Sequence, residues 1–223
     1  CIRDSKLSNR WNEDKFDASM AKYYQLIYGI DIAVGMILDE LERQEIADNT
    51  IVIYTTDNGY STGAHGFGGK VLPYEEASRG PLLIYAPGTK SEGKKWRSKA
   101  LVGNIDMAPT ILDAAGLKIP KHMDGKSLLK IMNKKNVIVK DHQAIIQTWG
   151  ENQTHSLSIV SDNYKYLYWF YGEGMEPKEE LYHLSKDAFE LQNLVSNPIS
   201  RKKLDYMRQL YDDFVATWKD EAV

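Results

Sequence analysis

Between residues 17 and 44, apolar positions recur three and four apart. Met20, Tyr23, Tyr24, Ile27, Val34, Ile37, Leu38 and Leu41 fall on one stripe of a helix, and Asp17 offers a capping carboxylate at its start. Asp31 lies on the same stripe, which predicts a buried carboxylate in need of a hydrogen-bond partner. The period then changes. Past the turn residues Ala47-Asp48-Asn49, a β-branched run predicts a strand over 50–55 that stops at Asp57-Asn58-Gly59. The loop 57–73 contains Gly59, Gly63, Gly66, Gly68 and Gly69. Pro73 suits the first turn of a short helix ending by Arg79, in which Glu75 and Arg79 form an i,i+4 ion pair. A second buried strand is predicted over 81–86, closed by Pro87-Gly88. A charged, exposed stretch over 90–99 follows. The next helix spans 105–115, with Asn104 as its cap and Gly116 as its terminator. Residues 117–136 read as loop and short helix, ending in a lysine-rich, solvated run.

A different pattern begins near residue 137. Four short strands are predicted in succession, over 144–149, 156–160, 164–170 and 180–184, with Ser161-Asp162-Asn163 as a hairpin turn. Tyr164, Tyr166, Tyr168 and Phe170 alternate with Lys165, Leu167 and Trp169, so aromatic residues line both faces of that strand. Asn197 caps a final helix, Pro198 occupies its first turn, and Leu204, Met207, Tyr211, Phe214 and Trp218 form its apolar stripe. The pattern gives an α/β region over 1–136 and an antiparallel four-stranded sheet with a C-terminal helix over 137–223.

Composition narrows the function classes. The 223 residues are 43% apolar and 26% charged, ordinary for a globular protein. A net charge of -3 gives no basic surface for nucleic acid. No apolar run approaches the ~20 residues of a membrane-spanning helix. Cys1 is the single cysteine, so no internal disulfide forms. A chain that opens on cysteine is expected to be processed or truncated. Fourteen tyrosines and five tryptophans suit a sheet with one wet face, and they also suit polar-ring ligands such as carbohydrate.

The candidate chemistry gathers after the strand 50–55. The Asp57 carboxylate and Asn58 amide are hard oxygen donors, suited to Ca²⁺ or Mg²⁺ and poor for zinc. The same Asp-Asn-Gly tripeptide also reads simply as a turn. Lys70 follows two glycines, and its compact ammonium can stabilise the oxyanions of a sulfuryl or phosphoryl group. His65 can donate to a substrate or orient a neighbour. His122, His142, His155 and His183 are scattered, and no zinc spacing, P-loop or dinucleotide fingerprint occurs. Asn152-Gln153-Thr154 has the form of a glycosylation sequon.

In combination these residues match a family. Thr50-Ile51-Val52-Ile53-Tyr54-Thr55-Thr56-Asp57-Asn58-Gly59, then His65-Gly66, Gly69-Lys70 and Tyr74-Glu75-Glu76-Ala77-Ser78-Arg79-Gly80-Pro81-Leu82, resemble the sulfatases of the alkaline phosphatase superfamily. Tyr23-Tyr24 with Asp31 and Gly35 is similar to the helix before this strand. Asn104 to Thr110, Asp124 to Leu128, and Glu180-Leu181-Tyr182-His183-Leu184 to Asn193-Leu194 are similar to later segments. The resemblance covers residues 20–215.

The resemblance implies a partial alkaline-phosphatase-like sandwich, with βα units around a mostly parallel sheet, ahead of the small antiparallel sheet. It implies Asp57 and Asn58 as two of four oxygen ligands to Ca²⁺, with Mg²⁺ second. Lys70 would contact the sulfate and the ester oxygen, and His65 would act as a catalytic or substrate-binding residue. The substrate would be a sulfate ester, with a sulfated glycan as its family form. The amide at Asn58 favours sulfatases over phosphonate-ester relatives, which place histidine there. The family nucleophile is a formylglycine made within a Cys/Ser-x-Pro-x-Arg motif, and no such motif occurs in this sequence. The chain therefore reads as the C-terminal portion of a sulfatase, incomplete by itself, that self-associates or pairs with a complementing N-terminal piece. Export to a periplasm or the cell exterior follows family habit. A phosphodiesterase or phosphonate monoester hydrolase, and a non-catalytic binding or assembly module, are the competing readings.

Overall fold

The computed structural model describes residues 13–70, 72–94, 96–148, 155–170 and 176–221. The opening helix α1 (Glu13–Arg43) is longer than the pattern suggests and places Asp17 inside it instead of at its cap. Its apolar stripe is not a core face. Tyr24, Ile27, Ile37 and Leu38 are exposed, as is Asp31, so the predicted buried carboxylate is instead solvated. Among the described residues, α1 packs mainly on the turn Ala47–Asn49, and Tyr23 lies against Tyr60.

β1 (Val52–Thr55) and β2 (Leu82–Tyr85) pair antiparallel, with Val52 opposite Tyr85 and Thr55 opposite Leu82. The α/β class holds, but this pair runs counter to the expected parallel arrangement. Among the described residues, the segment between them holds the 3-10 turn Ala64–Gly66 and the four-residue helix α2 (Glu75–Ser78), without the long crossover helix that usually joins parallel neighbours. β2 was expected to be buried. Instead it alternates, with Leu83 and Tyr85 exposed.

A turn over Asn104–Asp106 leads into α3 (Met107–Ala114), which ends at Gly116 in the left-handed region, as the sequence predicts. Asn104 does not cap it. The Asp106 carboxylate accepts the Gly103 amide instead, at 2.8 Å. The short helix α4 (Leu129–Asn133) buries Met132.

The second half follows its pattern closely. β3 (His142–Thr148), β4 (His155–Ser161), β5 (Tyr164–Phe170) and β6 (Lys178–His183) form an antiparallel meander in sequence order. The helix α5 (Arg201–Glu221) covers one face, entered through Pro198–Ser200 with Asn197 Oδ1 accepting the Ile199 amide at 3.0 Å. Ile159, Tyr166, Leu181, Leu204 and Met207 are the centre of that layer. Both faces of the sheet are packed among the described residues, where one was expected to be wet. On the other side Leu167, Trp169 and Tyr182 pack against Leu72 and Tyr74, so the sheet lies between α5 and the segment around α2. Strand periodicity thus puts Lys165 on the α2 side, with Leu167 and Trp169. Cys1 and the Asn152-Gln153-Thr154 sequon lie outside the described residues.

One surface pair ties α5 to β6. Arg208 bonds Glu179 through Nε at 2.9 Å and through Nη2, and Tyr166 donates to the same carboxylate at 2.8 Å. The Arg208 guanidinium holds the Glu179 carboxyl below its ordinary value, against the opposing effect of partial burial. A carboxyl depressed by folding contributes stability above its unfolded pKa of ~4.3, and that contribution disappears as pH falls through the depressed value. Glu179→Gln is expected to flatten the acid limb of stability against pH. Urea midpoints from neutral to acid pH check this, and an unchanged slope would show that the pair contributes nothing.

Candidate metal and anion site

β1 ends at Thr55, and the chain turns sharply through Asp57-Asn58-Gly59. Three contacts clamp this turn. The Gly59 amide donates to Ala77 O of α2 at 2.9 Å. A side chain at Gly59 would place a Cβ 2.1 Å from the Glu76 carbonyl oxygen, so only glycine permits this approach. From the other side, Asn104 Nδ2 donates to Asp57 O at 3.1 Å. Thr56 Oγ1 lies 3.3 Å from Asp57 Oδ1 and 3.0 Å from Asn58 O. The Asn58 Nδ2 donates to Gly59 O at 2.7 Å, which leaves Oδ1 as the acceptor available to a ligand. Asp57 is exposed and Asn58 half-buried. The turn therefore offers one carboxylate and one amide oxygen, a donor set that fits a hard divalent cation.

The glycine-rich loop closes on itself. The Ser61 amide donates to Gly69 O, and the Gly63 amide to Phe67 O, both at 2.8 Å. This pairing returns Lys70 to the neck of the loop, next to the Ser61–Gly69 bond. Lys70 is exposed and forms no ion pair among the described residues. An exposed, unneutralised ammonium is able to bind an anion.

His65 takes another direction. It sits in the left-handed region at φ 54°, and its ring stacks on Tyr74 with centroids 4.0 Å apart. Its Nε2 lies 3.7 Å from Glu76 Oε2. Tyr74 in turn donates to Glu180 Oε2 at 3.2 Å, and Tyr182 donates to the same oxygen at 2.8 Å. Asp57 and Asn58 thus lie just past the end of β1, Lys70 at the neck of the loop that follows, and His65 against α2. No hydrogen bond joins His65 to the other three among the described residues.

Beneath α2 lies a buried charge cluster that pattern reading missed. The Lys165 ammonium, fully buried, lies 3.0 Å from Glu75 Oε1, 3.0 Å from Ser78 Oγ and 3.2 Å from Glu190 Oε1. Glu190 Oε2 accepts the Glu75 amide at 2.5 Å. Burial pushes the Glu190 carboxyl up, and the Lys165 charge and the Glu75 amide oppose that. The predicted Glu75–Arg79 pair is present at 3.5 Å. His65, Glu76 and Glu190 each offer one ligand atom, and these lie within 4.8 Å of one another, a spacing a metal could bridge. Lys165 already supplies the cation at that point. A lysine on the apolar side of an alternating strand was the available signal for this cluster. Glu190, in an irregular segment, gave none.

Comparison with known proteins identifies related chains. The family model "Sulfatase" matches residues 4–117, and "N-sulphoglucosamine sulphohydrolase, C-terminal" matches residues 63–215. An arylsulfatase of Clostridium perfringens is 32% identical over 200 residues, covering 89% of this chain and 40% of that protein. An N-acetylglucosamine-6-O-sulfatase of Bacteroides thetaiotaomicron is 30% identical over 212 residues, covering 92% of this chain and 37% of that protein. A solved structure in complex with its substrate, D-glucosamine-2-N,6-O-disulfate, superimposes with a TM-score of 0.82 at 28% identity, covering 92% of this chain and 42% of that one. The chain spans about two fifths of the length of these relatives.

Proposed function

The chain belongs to the sulfatase family, and we propose that it supplies the C-terminal part of a Ca²⁺-dependent enzyme that hydrolyses sulfate esters. The observation that carries this reading is the clamped Asp57-Asn58-Gly59 turn, with Lys70 at the neck of the loop that follows it. Asp57 and Asn58 would hold the cation. Ca²⁺ takes six to eight oxygen ligands, so two side chains make a weak site and further ligands come from outside this turn. A bound Ca²⁺ supplies Lewis-acid polarisation of the sulfate oxygens. Lys70 binds the sulfate and neutralises the charge that develops on the ester oxygen as it leaves. His65, stacked on Tyr74 with its Nε2 3.7 Å from Glu76 Oε2, would contribute from the second rank, orienting its neighbours around the substrate. The nucleophile is not among these residues, since no Cys/Ser-x-Pro-x-Arg segment occurs in the sequence, and this chain alone is inactive. A sulfated glycan is the favoured substrate class, supported by relatives described as acting on sulfated glucosamine.

Ca²⁺ titration calorimetry tests the site, on this chain and on the full-length protein that carries it. Weak or no binding here, with tight binding in the full-length protein lost on Asp57→Ala, is the expected result. Full activity of the full-length protein in a calcium chelator would overturn the reading.

A further inference from the structure

The exposed α1 stripe, the His65-Glu76-Glu190 spacing and the Lys165 cluster all invite interpretation, and the cluster carries an argument furthest. α2 has four residues, too few for a helix to persist on its own, and its N-cap residue, Tyr74, makes no side-chain cap. Its support comes from distant positions. Glu190 caps its first amide at Glu75, 115 positions along the chain. Lys165, on β5, holds Glu75 at its first turn and Ser78 at its last. α2 in turn sets the site. Ala77 O holds the Gly59 amide, the Glu76 carbonyl touches the Gly59 backbone, and Tyr74 and Glu76 seat His65.

We infer that Lys165 and Glu190 are positioning residues, through which the C-terminal sheet fixes α2 and, through α2, the metal-binding turn. The inference rests on the sulfatase reading for what the turn does, but not for how it is held. A fully buried ammonium between two carboxylates gives less stability than apolar packing of the same volume. Its directional bonds, however, fix both ends of α2, which a leucine at the same place does not.

The test uses the full-length protein that carries this chain, with Lys165→Met and Glu190→Leu. Hydrogen exchange is followed in a peptide covering 57–63 and in another covering β4, together with Ca²⁺ affinity and kcat and KM for 4-nitrophenyl sulfate. Expected is exchange in 57–63 faster by about tenfold while β4 is unchanged. Ca²⁺ binding weakens, and kcat falls by roughly 10–100-fold, more than KM changes. Exchange in 57–63 at the wild-type rate, whatever happens to the melting temperature, overturns the positioning role. Should Lys165→Met not fold, Glu190→Leu decides alone, because it removes the acceptor of the Glu75 amide, which Glu190→Gln keeps, and leaves Lys165 its bond to Glu75. A wild-type protein that hydrolyses no sulfate ester defeats the sulfatase reading, while the exchange comparison still decides this one.

Discussion

Asp106→Ala is expected to cost about 3–5 kcal/mol of folding stability, the range for removing one partner of a buried ion pair. Asp106 is fully buried and accepts from three directions. The Gly103 amide bonds Oδ2 at 2.8 Å, the Lys126 amide bonds Oδ1 at 2.7 Å, and the Lys140 ammonium lies 2.8 Å from Oδ2. Lys140 precedes β3, so this one carboxylate joins the turn before α3, the loop before α4 and the entry to the C-terminal sheet. Alanine leaves two amides without an acceptor and a largely buried ammonium with only Gln143 Oε1, at 2.8 Å, and the orphaned groups lose what water would have given them. Asp106→Asn keeps the shape but can serve fewer donors, and should fall between wild type and alanine. Equilibrium denaturation measures the loss. A cost under about 1 kcal/mol would mean that water replaces the carboxylate without strain. Because the Asn104–Asp106 turn also aims Asn104 at Asp57 O, the folded fraction of the variant should bind Ca²⁺ more weakly too.

How much of this was legible in the sequence depends on where each signal resides. The four strands of the second half and the capped α5 were readable because their determinants are local. They are period-two alternation, a hairpin turn, and Asn197 before Pro198. The Asp57-Asn58-Gly59 turn was readable because a β-branched run ends on turn formers. α1 was legible as a helix but not as a solvated one, since a 3.6-residue stripe reports which face could be buried and not what covers it. The antiparallel pairing of β1 and β2 depends on the path of the glycine-rich loop between them, and glycines leave that path open. Lys165 was visible as an alternation member, but its two carboxylate partners lie 90 positions upstream and 25 downstream. No periodicity links residues at such separations. The candidate site residues were thus legible as chemistry at one strand end, and the groups that hold their turn in place only through tertiary structure.

Lys70→Ala is the second large effect. In the full-length protein it is expected to lower kcat for a sulfate ester about 10²–10³-fold, the range for removing one pre-oriented group that stabilises developing charge. Lys70 is exposed and unpaired among the described residues, so its removal leaves no buried charge and should shift the melting temperature little. That separates the catalytic loss from a folding loss. Asp57 and Asn58 stay clamped by Ala77 and Asn104, so Ca²⁺ affinity should be nearly unchanged. Arginine keeps the charge, but its planar fork presents it differently from a compact ammonium, and Lys70→Arg should restore little. The leaving group gives the sharper test. If Lys70 neutralises the departing ester oxygen, the defect should be small for 4-nitrophenyl sulfate, whose leaving group is already stable as an anion. It should be large for a sugar sulfate, whose alkoxide is not. An equal defect for both would confine Lys70 to the non-bridging sulfate oxygens, and no defect for either would remove it from the chemistry.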